Sequence, residues 1–342
     1  MNMLPKPPPR EPSLGFLYCS PFRVQGTSIA GEATCVSIPE LDICFDMGVC
    51  PRAMLAMKYV AVSHGHMDHI GGLAYYCSQR WFQGMGEGTI VCDARIAGPI
   101  ERMMAGYIEL EAQKTPFKVI PLKPGEETQI KNGVVLRGFE VEHTVPAFGY
   151  VIVEKRSKLK DEFVGMPQEK LKELKERGTE ITRIVEVPLI AYLGDTAPGP
   201  ALVREDVRKA QIVICECTFT EPDHKERAKV GMHMHADEIA EWLRVLECQS
   251  LVLTHVSRRT NLSYVRKRLG DLAGPRAMSK VLLLMDFKHN MERFAKQLVD
   301  NGQPLPAGMM SKPARPGGPP RSGPRPGGAR RGPTGAQRGF DD

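Results

Sequence analysis

The feature that most constrains this chain is a group of metal-ligand side chains directly after a short apolar run. The segment SHGHMDHIGG, from Ser63 to Gly72, holds three histidines and one aspartate within six residues. The preceding run KYVAV, at 58–62, has the β-branched composition of a buried strand, and a helical pattern begins after the motif. The motif is therefore predicted to lie at the end of a sheet strand, where open α/β sheets usually bind their ligands.

The spacing within the motif predicts a metal site. In an extended segment His64 and His66 point to the same side, so they can bind one ion together. Asp68 and His69 lie where the chain turns, and they can reach a second ion. The alternative is a polar loop in which the histidines occur by chance, and the density of nitrogen and oxygen ligands favours metal binding over it.

Two complete coordination shells need further ligands, and three candidates each follow an apolar strand-like run: His143, Asp195 and His255. A single histidine after a strand is more often a capped surface residue, but three repeats of one placement favour ligation. Asp195 is the natural bridging ligand, because one carboxylate can hold two cations about 3.5–4 Å apart.

Glu216 and His233 fit neither coordination shell. Glu216 follows another apolar run, and His233 lies just before a predicted helix. A carboxylate that holds the ring nitrogen of a histidine makes that histidine a better general acid. Their spacing alone allows two unrelated surface residues equally well.

The order of predicted elements favours two mixed sheets with helices on the outside. Strands come first as a meander and then alternate with helices, and this order occurs twice. The predicted boundaries include a strand at Tyr150–Glu154 and helices at Pro167–Arg177, Ala201–Lys209 and Ala236–Glu247.

Composition divides the chain into a proline-rich lead at 1–12, a folded body at 13–301 and a Pro/Gly/Arg tail at 302–342. Both ends have too little apolar content to fold, so we expect them to be disordered. From Pro306 onwards, one lysine and six arginines against two aspartates supply most of the net charge of +6. Such a tail could be a solubilising linker or could bind RNA, and both interpretations stay open.

The nine cysteines include no C-x-x-C pair, which favours reduced thiols over a disulfide framework or a cysteine zinc site. No apolar run is long enough to span a bilayer, and the first residues lack the apolar core of a signal peptide. We therefore expect a cytoplasmic protein that has no membrane partner.

Several stretches resemble the ribonuclease Z branch of the metallo-β-lactamase fold, the endonucleases that trim the 3′ end of precursor tRNA. The resemblance covers about residues 20–290 and is closest to the short plant form, in FDMGVCPRA, SHGHMDHIGGL, KLKDEFVGM, LGDT, ECTF and LTHVSRR. It implies a four-layer αββα sandwich, two Zn²⁺ ions per subunit and a homodimer whose arm serves the active site of the partner.

The resemblance also implies a role for each candidate residue. One zinc ion would be held by His64, His66, His143 and Asp195, and the other by Asp68, His69, Asp195 and His255. Asp68 would also orient or deprotonate the attacking water, and Glu216 with His233 would protonate the leaving 3′ oxygen.

Two departures from the family pattern matter. The arm, at about 155–187, is short and charged, whereas many bacterial relatives have a long Gly/Pro-rich arm. We expect its cations to contact RNA phosphates, although a charge run is more often a solvated face: Lys155, Arg156, Lys158 and Lys160. Met232 stands where the family usually has glycine, and we expect it to alter only the shape of the loop.

The resemblance therefore predicts a zinc-dependent endoribonuclease that removes the 3′ trailer of precursor tRNA and leaves a 3′ hydroxyl. Because this fold supports several activities, a small-molecule phosphodiesterase or lactonase is an alternative. A zinc-stabilised RNA-binding scaffold without turnover is a second alternative. The complete ligand set argues against it, because inactive copies tend to lose ligands.

Overall fold

The computed structural model describes residues 14–305, which form two seven-stranded sheets. The strands of the first sheet are β1 (Gly15–Cys19), β2 (Phe22–Ile29), β3 (Ala33–Ile38), β4 (Ile43–Phe45), β5 (Tyr59–Val62), β6 (Gly88–Asp93) and β7 (Phe117–Leu122). Those of the second are β8 (Glu127–Lys131), β9 (Val134–Glu140), β10 (Phe148–Leu159), β11 (Thr182–Tyr192), β12 (Ile212–Glu216), β13 (Ser250–Thr254) and β14 (Val281–Leu283).

Both sheets follow the same pairing order. Strands β1 to β4 pair antiparallel, and β4 to β7 pair parallel. The second sheet repeats this, with β8 to β11 antiparallel and β11 to β14 parallel. The predicted order, an antiparallel strand meander followed by alternating strands and helices, is therefore confirmed in both sheets.

Short connections and crossovers supply the helices, none of which, between residues 14 and 305, combines the length and apolar character needed to cross a bilayer. They are α1 (Met67–Ile70), α2 (Leu73–Phe82), α3 (Ala94–Glu111), α4 (Gln168–Glu176), α5 (Glu205–Arg208), α6 (Lys225–Gly231), α7 (Ala236–Trp242), α8 (Leu262–Met278) and α9 (Phe287–Asp300).

Three apolar cores separate four layers. The central core lies between the two sheets and includes Phe45 from the first and Tyr150 from the second. A second core, containing Tyr76 and Met104, packs α2 and α3 onto the outer face of the first sheet. A third core packs helices such as α7, through Trp242, onto the outer face of the second sheet. This is the αββα sandwich that the sequence predicts.

Some predicted boundaries are wrong. The helix expected at Ala201–Lys209 is a 3₁₀ turn, Pro200–Val203, followed by α5, because Arg204 between them has φ −58° and ψ 134°. The helix expected at Ala236–Glu247 ends at Trp242. The strand expected to end at Glu154 continues to Leu159, because its charged residues pair with β11 in a ribbon open to solvent.

The chain divides into one unit up to Gln303 and a second from Pro304, of which only residues 304 and 305 are described. The predicted proline-rich lead and nearly all of the predicted tail thus lie outside the described residues. The boundaries at 12 and 302 stay predictions.

Candidate metal centre

The seven predicted metal ligands meet at one edge of the sandwich, because each follows the carboxyl end of a strand. Four of them come directly after β5: His64, His66, Asp68 and His69. The other three come from the second sheet, with His143 after β9, Asp195 after β11 and His255 after β13. Both sheets therefore contribute to the same cluster.

The first ligand set converges through ring nitrogens. The Nδ1 atom of His66 lies 2.9 Å from Nε2 of His64 and 3.3 Å from Nε2 of His143. The Oδ2 atom of Asp195 lies 3.9 Å from Nε2 of His64. Ligand atoms at the corners of a tetrahedron with zinc bonds of about 2.0–2.1 Å are about 3.3 Å apart. The spacing of this set therefore fits one tetrahedral ion.

The second set has similar spacing. The Nε2 atom of His69 lies 3.3 Å from Oδ2 of Asp195 and 3.6 Å from Oδ2 of Asp68. The Nε2 atom of His255 lies 3.3 Å from Oδ2 of Asp195 and 3.4 Å from Oδ2 of Asp68. The same Asp195 oxygen thus borders both sets. Because His69 Nε2 is buried and has no hydrogen-bond partner, it fits a metal ligand.

The charges of the cluster also fit a bound cation. Burial raises the pKa of Asp195, but His255 and His69 beside it lower the pKa well below its ordinary range. Burial lowers the pKa of His69, but Asp195 and Asp46 raise it well above its usual value. The two carboxylates thus favour positive charge between them, and a bound cation would supply it. Burial, followed by the charge of His69, lowers the pKa of His64 to about 2, so its imidazole is neutral, as a ligand must be.

A buried network around Asp46 orients two of these histidines. The Nδ1–H group of His69 donates to Oδ2 of Asp46 over 2.8 Å, so Nε2 faces the cluster. The Nδ1–H group of His64 donates to the hydroxyl of Ser63 over 3.0 Å, and that hydroxyl donates to Asp46 over 2.7 Å. Tyr192 donates to the same Asp46 oxygen over 2.5 Å. Such contacts fix the tautomer and orientation of ligating histidines.

Sequence reasoning gave no role to Asp46, although a signal was available. Asp46 follows the apolar strand β4 directly, which is the placement that identified His143, Asp195 and His255. The chain thus repeats one placement at several strand ends, and Asp46 at one of them supports the candidate ligands His64 and His69.

Met232 supports His143 through its backbone. The Nδ1–H group of His143 donates to the carbonyl oxygen of Met232 over 3.1 Å, which leaves Nε2 facing the first ligand set. Met232 ends α6 in the left-handed conformation, with φ 54° and ψ 52°. The loop thus places methionine in a conformation that favours glycine.

The structure brings Glu216 and His233 together beside both ligand sets. The Nδ1–H group of His233 donates to Oε1 of the fully buried Glu216 over 2.7 Å. Burial lowers the pKa of His233, but the hydrogen bond and charge of Glu216 outweigh it and raise the pKa above its ordinary value. The His233 ring lies 5.1 Å from that of His143 and 5.4 Å from that of His255. An imidazole whose protonated form is favoured by Glu216 therefore faces the cluster.

The arm is a ribbon of β10 and β11 that carries α4, and its register separates its cations. Arg156 and Lys158 share one face with Arg183, which pairs directly with Lys158, whereas Lys155 is on the other face. Three of the four predicted RNA-binding cations have carboxylate partners: Lys155 with Glu127, Arg156 with Glu154 and Lys160 with Glu180. Lys158 makes no ion pair within the described range. Its cross-strand neighbour Arg183 has the same charge and is paired with Asp161 over 3.1 Å.

Comparisons with known proteins show what this chain is similar to. The family model described as Anti-Pycsar protein Apyc1 matches residues 45–267. The tRNase Z TRZ1 of Arabidopsis thaliana is 31% identical over 257 residues, which cover 74% of this chain and 92% of that protein. The chloroplastic tRNase Z TRZ2 of the same plant is 30% identical over 268 residues, covering 78% of this chain and 75% of that protein. The metallo-β-lactamase fold protein YhfI of Bacillus subtilis superposes with a TM-score of 0.51 at 15% identity, covering 79% of this chain and 94% of that one.

Proposed function

Since this chain belongs to the tRNase Z family of metallo-β-lactamase-fold, metal-dependent hydrolases, and to the group that the Apyc1 model describes, we propose that it is a zinc-dependent endoribonuclease. It would hydrolyse one phosphodiester of precursor tRNA, remove the 3′ trailer and leave a 3′ hydroxyl. The observation that carries the proposal is the meeting of two metal-ligand sets with a hydrogen-bonded histidine–glutamate pair.

We assign two Zn²⁺ ions to each subunit, and the two ligand sets share Asp195. The first set is His64, His66, His143 and Asp195, and the second is Asp68, His69, Asp195 and His255. Each contains three residues whose ligand atoms lie within 4.8 Å of one another: His64, His66 and His143 in the first, and Asp68, His69 and His255 in the second. Zinc bound there would supply Lewis acidity and lower the pKa of water to about 7. The nitrogen-rich ligands and tetrahedral spacing favour zinc over magnesium or calcium, which prefer oxygen.

Asp68 is placed to orient or deprotonate the attacking water. Its Oδ2 atom accepts the backbone N–H group of Gly31 over 3.0 Å, and its carboxylate is 15% exposed. Burial raises the pKa of Asp68, but the His255 hydrogen bond and the charge of His69 lower it to about 2. The carboxylate is thus ionised at neutral pH, and it can accept a hydrogen bond from water.

His233 is placed to donate the proton that the leaving group needs. Water would give one proton to Asp68 as it adds to phosphorus, the bond from phosphorus to the 3′ oxygen would break, and that oxygen would receive the proton of His233. Glu216 stabilises the imidazolium before transfer. The products are a tRNA with a 3′ hydroxyl and a trailer with a 5′ phosphate.

We propose that the arm contacts the phosphates of precursor tRNA. The face formed by Arg156, Lys158 and Arg183 supports this, because three cations there share one surface of the ribbon. The homodimer and the cytoplasmic location that the resemblance and composition predict stay part of the proposal.

Incubation with precursor tRNA, beside bis(p-nitrophenyl) phosphate, cyclic AMP and a lactone, tests the proposal when product ends are mapped. We expect cleavage at the trailer junction that a chelator abolishes and that Asp68→Ala reduces by several orders of magnitude in a folded protein. Turnover of cyclic AMP or the lactone with intact precursor tRNA would favour the small-molecule alternatives. Binding of precursor tRNA without turnover would favour the scaffold.

A further inference from the structure

Thr218 lies between the second ligand set and the proposed proton donor. We propose that its hydroxyl is a positioning group that couples the ligand His255 to the Glu216–His233 pair. This inference rests on the proposed function, which gives those residues their roles. It assigns to Thr218 a task that its place in the sequence did not indicate.

The hydrogen-bond directions around Thr218 follow from the donors present. Its hydroxyl is bonded to Oε2 of Glu216 and lies 2.8 Å from Nδ1 of His255. The Glu216 carboxylate can only accept, so the single hydroxyl proton goes to Glu216. The hydroxyl must then accept from His255, which fixes the proton on Nδ1. The Nε2 atom of His255 consequently faces Asp68 and Asp195, and a metal ion bound there would replace the hydrogen that Nε2 shares with Asp68 in the metal-free protein.

The same hydroxyl fixes the orientation of Glu216. While Thr218 holds Oε2, the other oxygen accepts the backbone N–H group of Thr196 over 2.8 Å and His233 Nδ1–H over 2.7 Å. Glu216 is fully buried and Thr218 is 6% exposed. Loss of the hydroxyl would leave buried polar atoms unpaired on both sides, which would loosen both groups.

The sheet explains why one threonine reaches both groups. Strands β12 and β13 are parallel neighbours, and Glu216 and Thr254 pair at their carboxyl ends. The N–H group of Cys217 then donates to the carbonyl of Thr254 over 3.0 Å, which holds the two chain exits side by side. Thr218 thus emerges next to His255, the residue after Thr254.

Thr220 offers a matched control. It is the same residue type, lies two residues further along the same loop and is fully buried. Its hydroxyl has no hydrogen-bond partner. Replacing it with valine therefore removes a hydroxyl that supports neither group.

The experiment compares Thr218→Val, Thr218→Ser and Thr220→Val with the wild-type protein. Zn²⁺ affinity is measured by chelator competition, and kcat/KM is measured on precursor tRNA and on bis(p-nitrophenyl) phosphate at saturating zinc. We expect Thr218→Val to weaken zinc binding about 10–100-fold. We also expect a loss on precursor tRNA that exceeds the loss on the nitrophenyl ester by at least about tenfold, because nitrophenolate leaves without a proton. Thr218→Ser should keep the wild-type zinc affinity and the wild-type ratio of activities on the two substrates. Thr220→Val should change neither the zinc affinity nor that ratio.

Wild-type zinc affinity in Thr218→Val would overturn the contact with His255. An unchanged ratio between the two substrates would overturn the coupling to the proton donor. Thr218→Ser that behaves like Thr218→Val would overturn the role of the hydroxyl, and Thr218→Ala replaces the valine variant if that variant does not fold. If the wild-type protein binds zinc but leaves precursor tRNA intact, the proposed function fails, and the zinc affinities still decide for or against Thr218.

Discussion

Asp46→Asn tests whether the buried network sets the affinity of the metal centre. The Asp46 carboxylate is fully buried and accepts four hydrogen bonds. At Oδ1 it accepts the Ser63 N–H group over 2.6 Å. At Oδ2 it accepts the Ser63 hydroxyl, the Tyr192 hydroxyl and His69 Nδ1–H. Asparagine has the same shape, but its amide nitrogen cannot accept, so at least one donor would face another donor.

The size of the effect follows from these contacts. An unsatisfied buried donor costs about 1–3 kcal/mol, and hydrogen bonds to charged groups contribute about 1.5–3 kcal/mol. We therefore expect the metal-free variant to lose roughly 2–4 kcal/mol of unfolding free energy. His69 would also lose the anion that orients its ring, so Zn²⁺ affinity should fall about 10–100-fold.

Two measurements separate these effects. Urea denaturation of the metal-free protein gives the unfolding free energy, and chelator competition gives the Zn²⁺ affinity. Asp93→Asn is the matched control, because Asp93 is a buried carboxylate that ends β6, two strands from β4 in the same sheet, and is bonded to Arg95. Zinc affinity in Asp46→Asn equal to that of Asp93→Asn would refute the claim that Asp46 orients His69.

Three further predictions use other parts of the structure. Glu216→Gln removes the charge that raises the pKa of His233. The protonated imidazole is the acid, so the alkaline limb of the pH profile for precursor tRNA cleavage should move to lower pH than in the wild type. The pH profile for bis(p-nitrophenyl) phosphate should not move, and identical shifts on both substrates would contradict this role. Changing Arg156, Lys158 and Arg183 to alanine should flatten the salt dependence of precursor tRNA binding by about 0.7–0.9 log units per lost contact. Lys155→Ala, on the opposite face, should leave this slope unchanged. The same slope in both variants would contradict the assignment of RNA binding to the face of Arg156. Met232→Gly should raise the unfolding free energy by roughly 0.5–1 kcal/mol in urea, because glycine adopts the left-handed conformation without the steric cost; a less stable variant would show that packing of the methionine side chain outweighs the backbone.

The placement of the ligands could be predicted from sequence because it depends on a local pattern. Each of His143, Asp195 and His255 follows an apolar strand, and the ends of neighbouring strands lie close together at one edge of a sheet. The repeated order of meander and alternation predicted the two sheets for the same reason. Periodicity and strand-end position are properties that each segment shows by itself.

The remaining features depend on which strands are neighbours, which no single segment shows. Thr218 meets His255 only because β12 lies beside β13, and Tyr192 reaches Asp46 only because the two sheets face each other. The face of the arm on which Lys155 lies depends on the register between β10 and β11. Sequence reasoning grouped Lys155 with Arg156 by proximity, although alternation along a strand places them on opposite faces.

The origin of the ligands in two separate sheets has a consequence for folding. The first sheet supplies His64, His66, Asp68 and His69, whereas the second sheet supplies His143, Asp195 and His255, so neither sheet could form either set alone. Zinc would therefore bind the assembled sandwich far better than a state in which one sheet has opened. By mass action, free zinc at 100 times its dissociation constant would stabilise the assembled state by about 2.7 kcal/mol per site. The metal centre would then act as a thermodynamic cross-link between the sheets, and chelation would lower the cooperativity of unfolding as well as remove activity.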